Sequence, residues 1–133
     1  MGRRELREQI FKLLFRTEFH PADDMAEQKE LFFTDVDAKA ATEQERQYIT
    51  DKYDKIVSRI PEIDAMINEK AVSWTTSRMG KVDLTILRLA IYEMLFDDDV
   101  PVSVAINEAV EIAKKFGQDE SPSFVNGVLA KFA

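Results

Sequence analysis

The segment Val82 to Phe96 places Leu84, Ile86, Leu87, Leu89, Ala90, Ile91, Met94 and Leu95 around nearly the whole circumference of a helix. A helix that is apolar on every side needs neighbours on several sides. The chain must therefore wrap other elements around this one, and the remaining segments read as helices as well. Arg3 to about Phe19 carries a stripe of Leu6, Ile10, Leu13, Leu14 and Thr17. A short helix is expected near 23–33, followed by a loop from Asp35 to Thr42. Thr42-Glu43-Gln44-Glu45 has the form of a capping box. It opens a helix with Tyr48, Ile49, Lys52, Tyr53, Ile56 and Val57 at helical spacing. Pro61 suits the first turn of the next helix, with Ile63, Met66, Ile67 and Ala71 leading to Trp74. Gly80 precedes the apolar helix and Asp97-Asp98-Asp99 ends it. After Pro101 comes an amphipathic helix with Lys114-Lys115 in its last turn and Gly117 as its cap. Ser121-Pro122 starts the last helix, Ser as N-cap and Pro at N1. Gly127 within that helix suggests close approach of another backbone. No strand-like alternation occurs, so the expectation is an all-α fold of about seven helices in two small bundles. Their expected extents are 1–60 and 61–133, forming one compact unit.

Composition narrows function by exclusion. The 133 residues contain no Cys and a single His, His20. A thiol nucleophile, a thiolate zinc site and a histidine-cluster metal site are excluded. No nucleophile motif and no phosphate-cradling glycine loop is present, so neither an enzyme nor a cofactor is expected. Asp97–Asp99 could offer oxygen ligands to a divalent cation, but reads first as a polar turn, with no metal expected. No apolar run approaches membrane-spanning length and Met1-Gly2-Arg3-Arg4-Glu5 opens no secretory signal, so a cytoplasmic protein is expected.

Charge is unevenly spread. The formal net charge is −7. Residues 1–16 hold Arg3, Arg4, Arg7, Lys12 and Arg16 against Glu5 and Glu8, a net of +3 that leaves −10 for the rest. At 100° per residue, Arg4, Phe11 and Phe15 fall within about 40° of one another, and Arg7 lies on the same side. The main apolar stripe is centred over 90° away. Guanidinium groups pair with phosphates and rings stack on unpaired bases, a combination that single-stranded RNA presents. From the residues alone, Phe11 and Phe15 read more readily as widening the core stripe, with the arginines at its edge, since aromatic residues at helical spacing are usually core. Arg88, inside the apolar helix, reads as an ion pair with an acid on a neighbouring helix.

From residue 79 onward the sequence carries linked motifs. Met79-Gly80-Lys81-Val82-Asp83 leads into Ile86-Leu87-Arg88-Leu89-Ala90-Ile91-Tyr92-Glu93, then Val100-Pro101. Val104-Ala105-Ile106-Asn107-Glu108-Ala109-Val110-Glu111-Ile112-Ala113-Lys114-Lys115-Phe116-Gly117 follows, and then Phe124-Val125-Asn126-Gly127-Val128-Leu129. In order and spacing these resemble the NusB family of bacterial transcription antitermination factors. The match is dense from Asp64 to Lys131 and resumes over Arg3 to Phe15. The resemblance implies a NusB-like fold that binds single-stranded boxA RNA of nascent ribosomal RNA leaders. It implies the ribosomal protein NusE as partner, within an RNA polymerase antitermination complex. It assigns Arg3, Arg4, Arg7 and Phe15 to the RNA surface, with Glu120, Ser121 and Phe124 from the last helix. It places Asp83 and Arg88 near the partner surface. Phe15 stands where relatives often have tyrosine. Glu5 and Ser123 stand where relatives can be more basic, which implies weak RNA binding alone and stronger binding with the partner. A helical protein-binding scaffold, or an accessory domain of an RNA-modifying enzyme, is the alternative, and homodimerisation over the arginine strip is compatible with the sequence.

Overall fold

The computed structural model describes residues 1–71 and 75–133. The expected apolar stripe ending at Trp74 therefore has its last residue outside the described residues. Among the described residues the fold is all-α: α1 (Arg3–Phe15), α2 (Met25–Phe32), α3 (Glu43–Lys70), α4 (Lys81–Phe96), α5 (Val102–Phe116) and α6 (Ser121–Ala130). Short 3-10 turns cover Arg16–Glu18, Ala22–Asp24 and Thr76–Arg78. The chain divides into two compact units, Met1–Val57 and Ser58–Ala133.

Six helices stand among the described residues where about seven are expected, because Pro61 starts nothing: it lies inside α3. Proline in a helix removes one backbone donor and crowds the carbonyl four residues before it, here that of Val57. The apolar residues Ile49, Tyr53, Ile56, Ile63 and Ile67 are all buried. At 100° per residue they stay within about 80° of one another across the proline. One uninterrupted apolar phase thus outweighs the missing hydrogen bond, and the exposed ring of Pro61 meets solvent.

In the first unit α1 buries Ile10, Phe11, Leu13 and Leu14, α2 buries Met25 and Phe32, and Ala38 and Ala41 are buried in the connection to α3. Tyr53 completes this core, and burial pushes its hydroxyl up to about 12, with the charge of Asp54 adding to the effect. The 33–42 connection is fixed from behind by Arg46, which donates to the carbonyls of Ala41 and Lys39, both at 3.2 Å. The expected capping box is present. The Thr42 N–H donates to Glu45 Oε1 at 2.9 Å, and the Glu45 N–H donates to Thr42 Oγ1 at 3.1 Å. The second oxygen of Glu45 receives the ammonium of Met1.

In the second unit α4 packs against α5 and α6, and α5 packs against α6. Every residue from Leu84 to Glu93 is buried, the enclosure that its all-round apolar surface requires. Truncating the fully buried Leu87 to alanine would cost about 2–5 kcal/mol. Two polar residues within this stretch have hydrogen-bond partners, one within α4 and one on another helix. Thr85 Oγ1 donates to the Lys81 carbonyl at 2.7 Å. Arg88 forks onto Asp64 of α3, Nε to Oδ1 at 2.9 Å and Nη2 to Oδ2 at 2.7 Å. This is the ion pair with a neighbouring helix that the sequence suggests, and it fastens α3 to α4.

The capping box gives two measurable outcomes. Thr42→Ala should lower unfolding stability by about 1 kcal/mol, read from urea denaturation at neutral pH. The ammonium of Met1, followed by the Thr42 N–H, holds the Glu45 carboxyl below its ordinary value. A carboxylate depressed in the folded state adds stability above its unfolded value of 4.5 and loses it as pH falls through the folded value. Glu45→Gln should therefore flatten the loss of stability on acidification below that point. An unchanged acid limb would contradict the assignment.

Candidate nucleic-acid interface

Helix α1 presents its basic residues in two groups. Arg3 and Arg4 are exposed in the first turn and Arg7 is half-buried one turn on. A helix N-terminus carries a partial positive charge, so arginines there oppose the backbone dipole, and only Glu5 favours it. The second group, Lys12 and Arg16, faces carboxylates of the first unit: Lys12 Nζ lies 3.1 Å from Asp37, and Arg16 pairs with Asp35.

The aromatic part of the face differs from the sequence pattern. Phe11 is buried, 3% exposed, and belongs to the core. Phe15 is half-buried, stacked on Phe11 with centroids 6.1 Å apart. Phe19, in the turn after the helix, meets Phe15 edge-on at 5.0 Å and is 56% exposed. The three rings climb from core to solvent at four-residue spacing. Sequence reasoning missed Phe19 because the helix was expected to end in that region, although the i, i+4, i+8 series of phenylalanines announces it.

In the second unit, a cleft of about 440 Å³ is lined by Arg78, Lys81, Asp83, Gly117, Glu120, Ser121 and Phe124, among others. It brings Asp83 together with the three candidates at the start of α6, Glu120 being the residue before the helix. Glu120 is exposed and Phe124 half-buried. Ser121 is only 2% exposed, and its Oγ accepts from the Gln118 N–H at 3.0 Å. It thus fastens the turn behind the helix instead of capping the amides ahead, and it offers little surface to a ligand. Asp83 Oδ1 is buried without a hydrogen-bond partner among the described residues, a state that buried oxygens rarely keep. A donor brought in from outside would satisfy it. Arg88 does not line this cleft; its guanidinium is committed to Asp64.

Gly117 caps α5 as expected, its N–H donating to the Ala113 carbonyl at 2.9 Å, and it also makes the close approach expected at Gly127. A Cβ on Gly117 would lie 2.5 Å from the Ser121 Cβ, whereas one on Gly127 meets nothing within 4 Å. Gly117 has φ −91°, so it is required by the closeness of Ser121 and not by a left-handed cap. No group of three or more His, Asp or Glu side chains among the described residues is placed to hold a metal ion. No helix among them is long and apolar enough to cross a membrane.

The whole chain is similar to proteins already known. A protein-family model described as the NusB family matches residues 4–133. A transcription antitermination protein NusB from Agathobacter rectalis is 55% identical over 133 residues, covering 100% of both chains. Among solved structures, T. maritima NusB superposes with a TM-score of 0.86 at 34% identity, covering 100% of this chain and 91% of that one. A structure of antitermination factors NusB and NusE in complex with dsRNA gives a TM-score of 0.82 at 24% identity, covering 96% of this chain and 92% of that one. At that identity the likeness concerns the fold.

The glycine geometry predicts opposite outcomes for one substitution. Gly117→Ala should lower the thermal midpoint by several degrees, because the packing against Ser121 has to open. Gly127→Ala should raise stability by about 0.5–1 kcal/mol, since an exposed helical glycine gives way to a better helix former. Thermal denaturation followed by circular dichroism distinguishes the two.

Proposed function

Because the chain belongs to the NusB family, we propose that it is a non-catalytic transcription antitermination factor. In this reading it binds boxA RNA of nascent ribosomal RNA leaders, together with the ribosomal protein NusE, in the cytoplasm and within the RNA polymerase antitermination complex. One observation carries the reading: Arg3 and Arg4 stand exposed in the first turn of α1, where helix stability alone favours acids. A phosphodiester chain removes that conflict, because it meets both the guanidinium groups and the positive end of the helix. Arg7 extends the strip. The exposed ring of Phe19 and the half-buried ring of Phe15 offer stacking surface to unpaired bases, an interaction worth about 1–3 kcal/mol per base.

Glu120 and Phe124 are assigned to RNA by resemblance to the family, with Ser121 holding the turn that presents them. Asp83 is assigned to the partner, and its unsatisfied buried oxygen supports that assignment. Arg88 is assigned to the partner side as a positioning residue, through its hold on Asp64. With −10 outside the first helix, the chain alone should attract RNA weakly, and NusE should supply the remaining affinity.

Titration of a fluorescent boxA-like RNA at low salt, with and without NusE, tests this. Arg4→Ala combined with Arg7→Ala should weaken binding by about tenfold or more. The slope of log affinity against log salt should fall by about 0.7 for each phosphate that the protein no longer neutralises. Unchanged affinity would overturn the reading. NusE binding that persists without any RNA affinity would select a protein-binding scaffold instead.

A further inference from the structure

Two cationic side chains on α1 and the turn after it, beyond the arginines already assigned, are held by the protein's own acids. Lys12 Nζ lies 3.1 Å from Asp37 Oδ2. Arg16 directs Nη2 at Asp35, while its Nη1 donates to Gln28 Oε1 at 3.1 Å and its guanidinium carbon sits 5.2 Å from the ring centroid of Phe32. The Arg16 fork is thus oriented from behind by Gln28 and Phe32, with one edge left to an anion. On the helical wheel Lys12 and Arg16 adjoin the face that carries Arg4, Phe15 and Phe19.

The geometry points to Lys12 and Arg16 as further phosphodiester-binding positions, masked in the isolated chain by the carboxylates of Asp35 and Asp37. The inference rests on the reading of α1 as an RNA surface and adds a regulatory element to it. The masking acids are built in. Arg46 grips the 33–42 connection through two backbone carbonyls, and Ala38 and Ala41 beside it are buried. Yet the mask is easily exchanged. The side chains of Asp35 and Asp37 are 54% and 70% exposed, and exposed ion pairs hold weakly. A phosphate oxygen can take the place of a carboxylate oxygen without moving the cation, because fork and lysine meet both anions in the same way. An RNA strand therefore has to compete with Asp35 and Asp37 for these cations, which lowers affinity without altering the fold.

The test uses the full chain and two probes, a boxA-like RNA and an oligouridylate of equal length. Asp35→Asn with Asp37→Asn should tighten binding of both probes by about three- to tenfold at low salt. It should also steepen the salt dependence by up to about 1.4, the value for two further single-strand phosphates. Adding Lys12→Ala and Arg16→Ala to that variant should abolish the gain. Asp23→Asn with Asp24→Asn, which changes net charge equally, should give a smaller one. Circular dichroism of each variant reports whether the helices are intact. A gain equal to that of the Asp23/Asp24 control, or one that survives removal of Lys12 and Arg16, overturns the mask. So does unchanged affinity in a variant that retains its helices; a variant that loses them is replaced by the single Asp37→Asn, whose side chain is the more exposed of the two. If wild type prefers boxA RNA and no variant exceeds it, this inference fails and the antitermination reading stands. If the unmasked variant binds both probes alike, with no preference for boxA, the mask stands and the boxA assignment fails.

Discussion

A helix with no polar side is unstable in water unless its neighbours enclose it, and α4 is such a helix. Its buried run from Leu84 to Glu93 dictates where α5 and α6 go, since each covers a sector of the same cylinder. Within that enclosure Arg88 has little water to solvate it. Its fork onto Asp64 replaces hydration with two charge-assisted bonds and fixes how α3 lies against α4. The turn between α5 and α6 is then so tight that Ser121 rests on Gly117. The cleft with Asp83, Glu120 and Phe124 is a product of this packing, not of a dedicated loop.

Local rules were readable wherever a few neighbouring residues decide the outcome. The capping box at Thr42 and Glu45 is visible in four letters and present in four atoms. The short helix before the acidic loop, the all-round burial of α4 and the all-α class follow from hydrophobic periodicity. Failures came where distant residues decide. Pro61 reads as a helix start, but the apolar phase on either side keeps α3 running through it. Gly127 reads as a site of close backbone approach, yet the approach occurs at Gly117, which also caps α5 as expected, because the α5–α6 turn closes there. Phe11 and Phe15 are alike in sequence, and only packing divides them into core and edge.

The candidate interface was legible in kind but not in its electrostatics. Five cations against two acids in the first 16 residues point to a basic head. The fold then brings Asp35 and Asp37 to Arg16 and Lys12, pairings across 19 and 25 positions that no local pattern reveals. Lys12 and Arg16 are therefore compensated by acids of the 33–42 connection, in the same stretch of chain as the rings of Phe15 and Phe19.

The proline within α3 has a consequence for how this chain loosens. A helical ladder transmits protection from one amide to the next, and at Pro61 one rung is absent. The Val57 carbonyl opposite that rung coincides with the limit of the first compact unit. Fraying that begins near Glu43 can stop there, leaving the amides beyond the proline slow to exchange with deuterium. The longest helix among the described residues thus carries a built-in stopping point, so that a disturbance at one end need not melt the other.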